Sequence, residues 1–553
     1  MRHIIKNRSK VIIIVSVIVA FTLGFSVADS DYFFKVNKSI DVFGRVFKEI
    51  TFNYVDEIDP EVFMNTGIEG MLKSLDPYTN FISASEVSDV DLITTGRYGG
   101  IGITISMRDG MIVITSLMEG YTAQKQGLRI GDKIIEVDGK SLLNVKLEDM
   151  RHLTRGEPGT EVRVKVQREG EQKPLDFVLI REEIKLKNIS YSNFIQNGIA
   201  LIRLDRFTRT AGDEFRLAVK ELRLKGEIKG IILDLRDNPG GLLDAAVNIT
   251  SKFVPKGSLV VSTRGRKTGS EQKYFSVEGP ILHEIPVAVL INKNSASASE
   301  IVAGAIQDLD RGIIIGSRTF GKGLVQNVVP LPYNNQLKLT TAKYYTPSGR
   351  CIQEIDYIHK DKDGLFTITP DSLKKNFFTT KGRKVQELGG IHPDTTLLEP
   401  EPSSLYLELM RKAMFFKFAT HYVSTHRELP EDFSANGDLC TQFKNYVREN
   451  NFTYENEIET KTEEVRKLAE KSNYDKEIID GFQALKLKIS GRKENAFEEN
   501  QKELVRYLRQ EIYSRYKGEQ GRIEASYIDD NQVQTAVGII SNNNLYKKIL
   551  NIP

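Results

Sequence analysis

The chain has 553 residues, 40% hydrophobic and 27% charged, a globular composition that excludes collagen-like, low-complexity and wholly disordered proteins. Its length predicts three or four domains, and its two cysteines exclude a disulfide scaffold and a four-thiolate zinc site. With 77 Lys+Arg against 74 Asp+Glu, the net charge of +3 gives no reason to expect nucleic acid as a partner.

Arg2, Lys6, Arg8 and Lys10 precede an uncharged, apolar run from Val11 to Ala28. At about 1.5 Å per residue this run crosses most of a ~30 Å hydrocarbon layer, so residues 1–28 read as a signal anchor or signal peptide. Bases before it and Asp29 and Asp31 after it direct the rest of the chain across the membrane. Ser26-Val27-Ala28 fits a small-x-small cleavage site, whereas the length of the run favours retention. The expectation is a protein exported to the bacterial periplasm or cell envelope and anchored in the inner membrane by residues 11–28.

Residues 29–95 show helical apolar spacing at Val42, Val46 and Ile50 and again at Phe63, Ile68, Met71 and Leu72. From 96 to 185 the texture changes to short β-rich runs with Gly-containing turns and one helix near Leu147 to Leu153. From 186 to 399, unbroken apolar strands alternate with helices, which predicts a mostly parallel sheet covered on both faces. Residues 400–553 are charged and helical, with no chemistry evident in them. The fold class expected is therefore multidomain α/β with helical N- and C-terminal segments.

In the β-rich module, Gly100-Ile101-Gly102-Ile103 lies immediately before a strand, and its glycines free successive N–H groups to converge on a carboxylate. A sheet edge beside such a nest binds an extended peptide by strand addition. GLRIGDKIIEVDGKSL, a following helix and RGEPGTEVRVKV come in the order of PDZ domains, which the segment resembles. That resemblance implies that Ile101, Ile103 and Met150 line the pocket for the last side chain, with Arg155 near the bound terminus. For Arg155 a solvated turn arginine is an equal alternative.

NSASASEI follows the strand IPVAVLIN and opens a helix. A serine there sits where unpaired N–H groups and the positive end of the helix dipole stabilise an anion, although a plain serine N-cap has the same appearance. Residue chemistry leaves Ser295, Ser297 and Ser299 all open as nucleophile. None of the seven histidines has a catalytic context, so the candidate base is a lysine held neutral. That demands a pKa lowered by roughly three units from ~10.4, and Lys322, between Gly321 and Gly323 and close to Phe320 and Leu324, suits a dry setting. Asp308, eleven residues along the helix from Ser297, stands about 16 Å away and reads as structural.

DLRDNPGG (234–241), NSASASEI (294–301), TFGKGLVQ (319–326), YYTPSGRCIQ (344–353) and GGIHPD (389–394), in this order behind the PDZ-like module, resemble the C-terminal processing (tail-specific) serine proteases. The resemblance implies Ser297 as nucleophile, Lys322 as general base and Gln326 as its support. It also implies an oxyanion hole from the backbone N–H groups of Ala298 and Gly240, with no metal or other cofactor. Tyr121-Thr122 departs from a more usual Ser-Pro in the PDZ-like module, and Val385 to Leu388 from the usual glycine-rich lead into GGIHPD. The partners implied are protein C-terminal tails as substrate and the membrane through the N-terminal segment. Homo-oligomerisation through the helical ends and pairing of Cys351 with Cys440 are left open. The rival readings are a noncatalytic PDZ-type scaffold that sequesters tails and, on fold analogy alone, an acyl-CoA enzyme.

Overall fold

A computed structural model describes residues 31–553 except 85, 88–93, 143–152, 361–365, 427, 431–432, 434, 455–456, 493–494 and 553. The apolar run 11–28 and the helix expected near 147–153, all but its last residue, lie outside the described residues. Among those described, no helix is long and apolar enough to cross a membrane.

The described chain divides into two compact units, one formed by residues up to Ile82 with Val328–Leu339 and the other by the remainder. In the smaller unit a helix over 31–53 precedes the helix Pro60–Leu72. Asp59 caps the second helix by accepting the Glu61 and Val62 N–H groups, and Pro60 at its first position has no N–H to leave orphaned. Phe47 stacks on Phe63 with ring centroids 5.7 Å apart. The strand Asn80–Ile82 then pairs antiparallel with Gln336–Lys338.

In the larger unit, residues 103–180 form an antiparallel sheet with the path Ile103–Arg108, Met111–Leu117, Lys133–Val137, Glu161–Gln167 and Leu175–Ile180. Burial alternates along Glu161–Gln167, which puts Val162, Val164 and Val166 into the module's core, as a period of two requires. Ile103–Arg108 is an edge strand, paired on one side only among the described residues.

The central sheet has the order Ile189–Gln196, Ile199–Leu204, Gly230–Asp234, Val287–Ile291, Ile313–Gly316 and Thr395–Thr396. Its first pair is antiparallel and every other neighbour parallel. Gly230–Asp234 and Val287–Ile291 are buried at all positions, so their unbroken apolar runs report two covered faces. The helices Ala211–Lys225, Leu243–Ser251 and Ala298–Asp308 cover one face.

The other face is covered by residues from the far end of the chain. Ile523, Tyr527, Val533, Ala536, Val537, Ile540 and Tyr546 pack on Leu201, Ile232, Leu290 and Ile315. The stretch expected as an extension from residue 400 is thus two things. Helices such as Met414–Thr425 and Gly437–Glu449, with the first half of Gln501–Tyr527, make a helical domain with its own core. The closing helices Asn531–Ser541 and Asn543–Ile549 complete the sandwich around the central sheet. Cys351 and Cys440 are both buried and unpaired.

Asp308 ends the helix that begins at Ala298, and its carboxylate meets the fully buried Arg350 at 2.8 Å and the Ser348 N–H at 3.0 Å. The structural role expected for Asp308 agrees with this placement. Removing one partner of a buried pair strands the other charge. Asp308→Ala is accordingly expected to lower stability by about 3 kcal/mol or more, read as a fall in the urea midpoint at unchanged slope.

Candidate active site

Three loops leave the carboxyl ends of adjacent parallel strands and converge: 235–241 after Gly230–Asp234, 292–297 after Val287–Ile291 and 317–323 after Ile313–Gly316. In open α/β sheets this edge is where sites are built, because the loops there meet helix N-termini.

Ser297 is the residue before the helix Ala298–Asp308 and has φ 56°, ψ −113°, a conformation that costs a residue with a Cβ about 1–3 kcal/mol. Hydrogen bonds over-determine it. Its carbonyl accepts the Tyr344 hydroxyl at 3.0 Å and the N–H groups of Glu300 and Ile301, and its own N–H donates to Glu300 Oε2 at 2.8 Å. The flanking serines do other work. Ser295 Oγ donates to the Leu235 carbonyl and Ser299 Oγ to the Asn238 carbonyl, each within 2.9 Å, which bolts the serine loop to the 235–241 loop. Of the three hydroxyls left open by residue chemistry, Ser297's is the one not committed to a neighbouring loop's carbonyl.

Glu300 is the hub of the arrangement. Fully buried, it accepts the Thr319 hydroxyl (2.6 Å) and the Gly321 N–H (2.8 Å) on Oε1, and the Ser297 and Lys322 N–H groups (2.8 and 2.9 Å) on Oε2. One oxygen thus holds the backbone of both proposed catalytic residues, whose amides are at most two hydrogen-bond lengths apart. Burial raises the Glu300 carboxyl from its ordinary 4.5 to about 7, against the pull of its four donors. Residue chemistry did not single out Glu300, although Ser297-x-x-Glu300 has the capping-box spacing that exposes it.

Lys322 is half-buried. The Phe320 N–H donates to the Ser295 carbonyl, and Gly323 N–H to Gln353 Oε1 at 2.8 Å, so both sides of the lysine are tied down. Gln326 lies on the strand Leu324–Pro330 and its Nε2 donates to Thr340 Oγ1 at 3.2 Å. The Lys322 loop thus leans on the YYTPSGRCIQ segment through Gln353, and Ser297 leans on it through Tyr344.

Gly240 is pressed against Ser297 and its neighbours. A Cβ there would lie 2.6 Å from the Ala296 oxygen and 2.8 Å from the Ala298 nitrogen, and φ is 98°, so no other residue fits without displacement. Its N–H donates to Asn238 Oδ1 at 2.9 Å. Ala298, at the first helical position, has an N–H with no acceptor within the helix.

In the β-rich module, Gly102 has φ 78° and its Cα abuts Tyr121, where a Cβ would come within 2.7 Å of the tyrosine Cβ. Tyr121, which departs from the usual pattern, also accepts the Lys185 N–H on its hydroxyl at 2.8 Å. Gly100 ends the strand Arg97–Gly100, Ile101 is buried in the module's core and Ile103 packs against that core while opening the edge strand. Arg155 lies over the Tyr98 ring, 5.0 Å from its centroid, beside the glycine run. Met150 is outside the described residues. Among the described residues, no cluster of His, Cys, Asp or Glu is placed to hold a metal ion.

Because the folded protein binds the Glu300 proton more tightly than the unfolded chain, the sign of the linkage follows: this contribution to stability is complete below pH 4.5 and is lost as pH rises through about 7. Relative to Glu300→Gln, wild type is expected to lose about 3 kcal/mol across that window in denaturant titrations. Gln offers a single acceptor oxygen to four donors, so the variant is also expected to be less stable than wild type at every pH.

Comparison with known proteins adds three profile matches. Peptidase family S41 matches residues 198–364, the PDZ domain residues 89–167, and a C-terminal helical domain of probable PDZ-proteases residues 405–540. The carboxy-terminal-processing protease of Bartonella bacilliformis is 41% identical over 321 residues, which cover 58% of this chain and 73% of the relative. The carboxy-terminal processing protease CtpB of Bacillus subtilis is 34% identical over 329 residues, 59% of this chain and 66% of the relative. Among solved structures, a photosystem II D1 C-terminal processing protease aligns with 64% of this chain and 87% of its own at 28% identity and a TM-score of 0.36. Identity of 41% across 73% of a relative, together with the S41 and PDZ matches in tandem, means that this chain belongs to the PDZ-containing carboxy-terminal-processing proteases of peptidase family S41.

Proposed function

We propose that this protein is a serine endopeptidase that takes protein C-terminal tails onto its PDZ domain and cleaves them with a Ser297–Lys322 pair. The observation that carries the reading is the single Glu300 oxygen that accepts both the Ser297 and the Lys322 N–H groups, beside a serine held at positive φ. Ser297 Oγ attacks the scissile carbonyl, Lys322 Nζ takes the hydroxyl proton and returns it to the leaving amine, and water then releases the acyl-enzyme by the same route. The amide oxygen of Gln326 is the end able to accept from the lysine amine, since its Nε2 is given to Thr340. Ala298 N–H and Gly240 N–H receive the oxyanion, the latter by exchanging its present acceptor, Asn238 Oδ1, for the substrate oxygen. No metal or cofactor enters these steps.

Tail capture by strand addition is supported by the edge of Ile103–Arg108, unpaired among the described residues, and by the left-handed Gly102 at its start. A cleft of about 2000 Å³ is lined by Thr104, Leu117 and Tyr121 of the module and by Asp237 and Pro239 of the 235–241 loop. In the cell the protein is read as exported to the envelope, held by residues 11–28 as signal anchor.

Ser297→Ala and Lys322→Ala are each expected to reduce cleavage of an unstructured tagged tail by about a thousandfold or more while leaving tail binding intact, followed by mass mapping of the products. Retained hydrolysis in either variant refutes the assignment. Tails ending in an amide are expected to bind about tenfold or more weakly than the free acid, measured by calorimetry on the Ser297→Ala protein.

A further inference from the structure

The closing helices lie beyond the motifs that carry the family's chemistry, yet they reach the root of the 235–241 loop. Arg236 folds back on Asp234, donating Nε to Oδ1 at 2.9 Å and Nη2 to Oδ2 at 2.7 Å. Its remaining terminal nitrogen, Nη1, crosses to Asp530 Oδ2 at 2.7 Å and Gln532 Oε1 at 3.3 Å. Tyr527 donates its hydroxyl to Asp234 Oδ2 at 2.9 Å. Asp234, Arg236, Tyr527 and Asp530 are all buried. From the other side, Asp237 accepts Asn292 Nδ2 and Asn294 Nδ2 at 2.9 and 2.8 Å, so the loop is held between the serine loop and the C-terminal segment.

We propose that Asp530 and Tyr527 are positioning residues for the hydrolysis: acting through Arg236 and Asp234, they hold the 235–241 loop in the place that presents Gly240 to Ser297, which makes the C-terminal segment an integral part of the active site. This rests on the reading of Ser297 and Gly240 above. The geometry separates positioning from mere support, because the two oxygens of Asp530 do different work. Oδ1 caps the helix Asn531–Ser541, accepting the Gln532 and Val533 N–H groups at 2.9 and 3.1 Å, while Oδ2 alone serves Arg236. An asparagine caps a helix as well as an aspartate does, yet its NH2 group cannot accept from a guanidinium. Displacement of the loop then falls on the transition state, where Gly240 acts, and not on tail capture by the distant edge strand.

The test uses the full chain, with kcat and KM on a tail peptide and hydrogen exchange in segments 234–241 and 531–541. Asp530→Asn and Tyr527→Phe are each expected to lower kcat by about tenfold or more with KM within about twofold, since small misplacements of catalytic groups act on the chemical step. Exchange in 234–241 is expected to quicken while 531–541 stays protected. Unchanged kcat, a rise in KM alone, or unchanged exchange in 234–241 overturns the proposal. If Asp530→Asn unfolds, Tyr527→Phe, which removes one oxygen and no cap, decides the matter. Should wild type cleave nothing, the protease reading falls, and the exchange comparison still judges whether the C-terminal segment holds the loop.

Discussion

A single buried carboxylate ties the 292–297 loop to the 317–323 loop. Glu300 lies one turn inside a helix whose N-terminal end already favours negative charge, and it spends both oxygens on donors from three places: Ser297, Thr319 and the Gly321–Lys322 turn. Four hydrogen bonds in a dry site fix the positions of their donors, because each has a direction and each lost acceptor leaves a buried polar group unpaired. The strained backbone of Ser297 persists for the same reason: its N–H and carbonyl are both taken by rigid partners.

The parallel sheet supplies the frame on which that carboxylate acts. Adjacent strands deliver the 235–241, 292–297 and 317–323 loops to one edge, and the hydroxyls of Ser295 and Ser299 cross-link the first two. Asn238 shows how closely the parts are set. Its side chain donates to the Leu204 carbonyl and accepts the Gly240 N–H, while its carbonyl accepts the Ala296 N–H and the Ser299 hydroxyl. The Gly240 N–H is thus engaged within its own loop, by the side chain of Asn238.

The C-terminal region packs on both the PDZ domain and the central sheet. Its helical domain packs on the PDZ domain, with Phe416 between the guanidinium groups of Arg108 and Arg515 and Lys417 paired with Asp109. Its closing helices cover the second face of the protease sheet and reach Arg236. PDZ domain, central sheet and C-terminal helices are thus packed together.

Much of this was legible in the letters. Unbroken apolar runs point to a sheet buried on both faces, short β-rich runs with Gly-containing turns point to the PDZ strands, and Gly102 and Gly240 stand where a side chain would collide. These are local signals, set by the geometry of one strand or one turn. Three features depend on the tertiary structure: the commitment of the Ser295 and Ser299 hydroxyls to the 235–241 loop, the four donors gathered on Glu300, and the pairing of Asp530 with Arg236. Each depends on which donors and acceptors from distant segments share a dry pocket. Arg236 and Asp530 are 294 positions apart, and no periodicity or spacing records that a guanidinium and a carboxylate so separated will meet. Burial makes their pairing obligatory, and burial is a property of the folded chain.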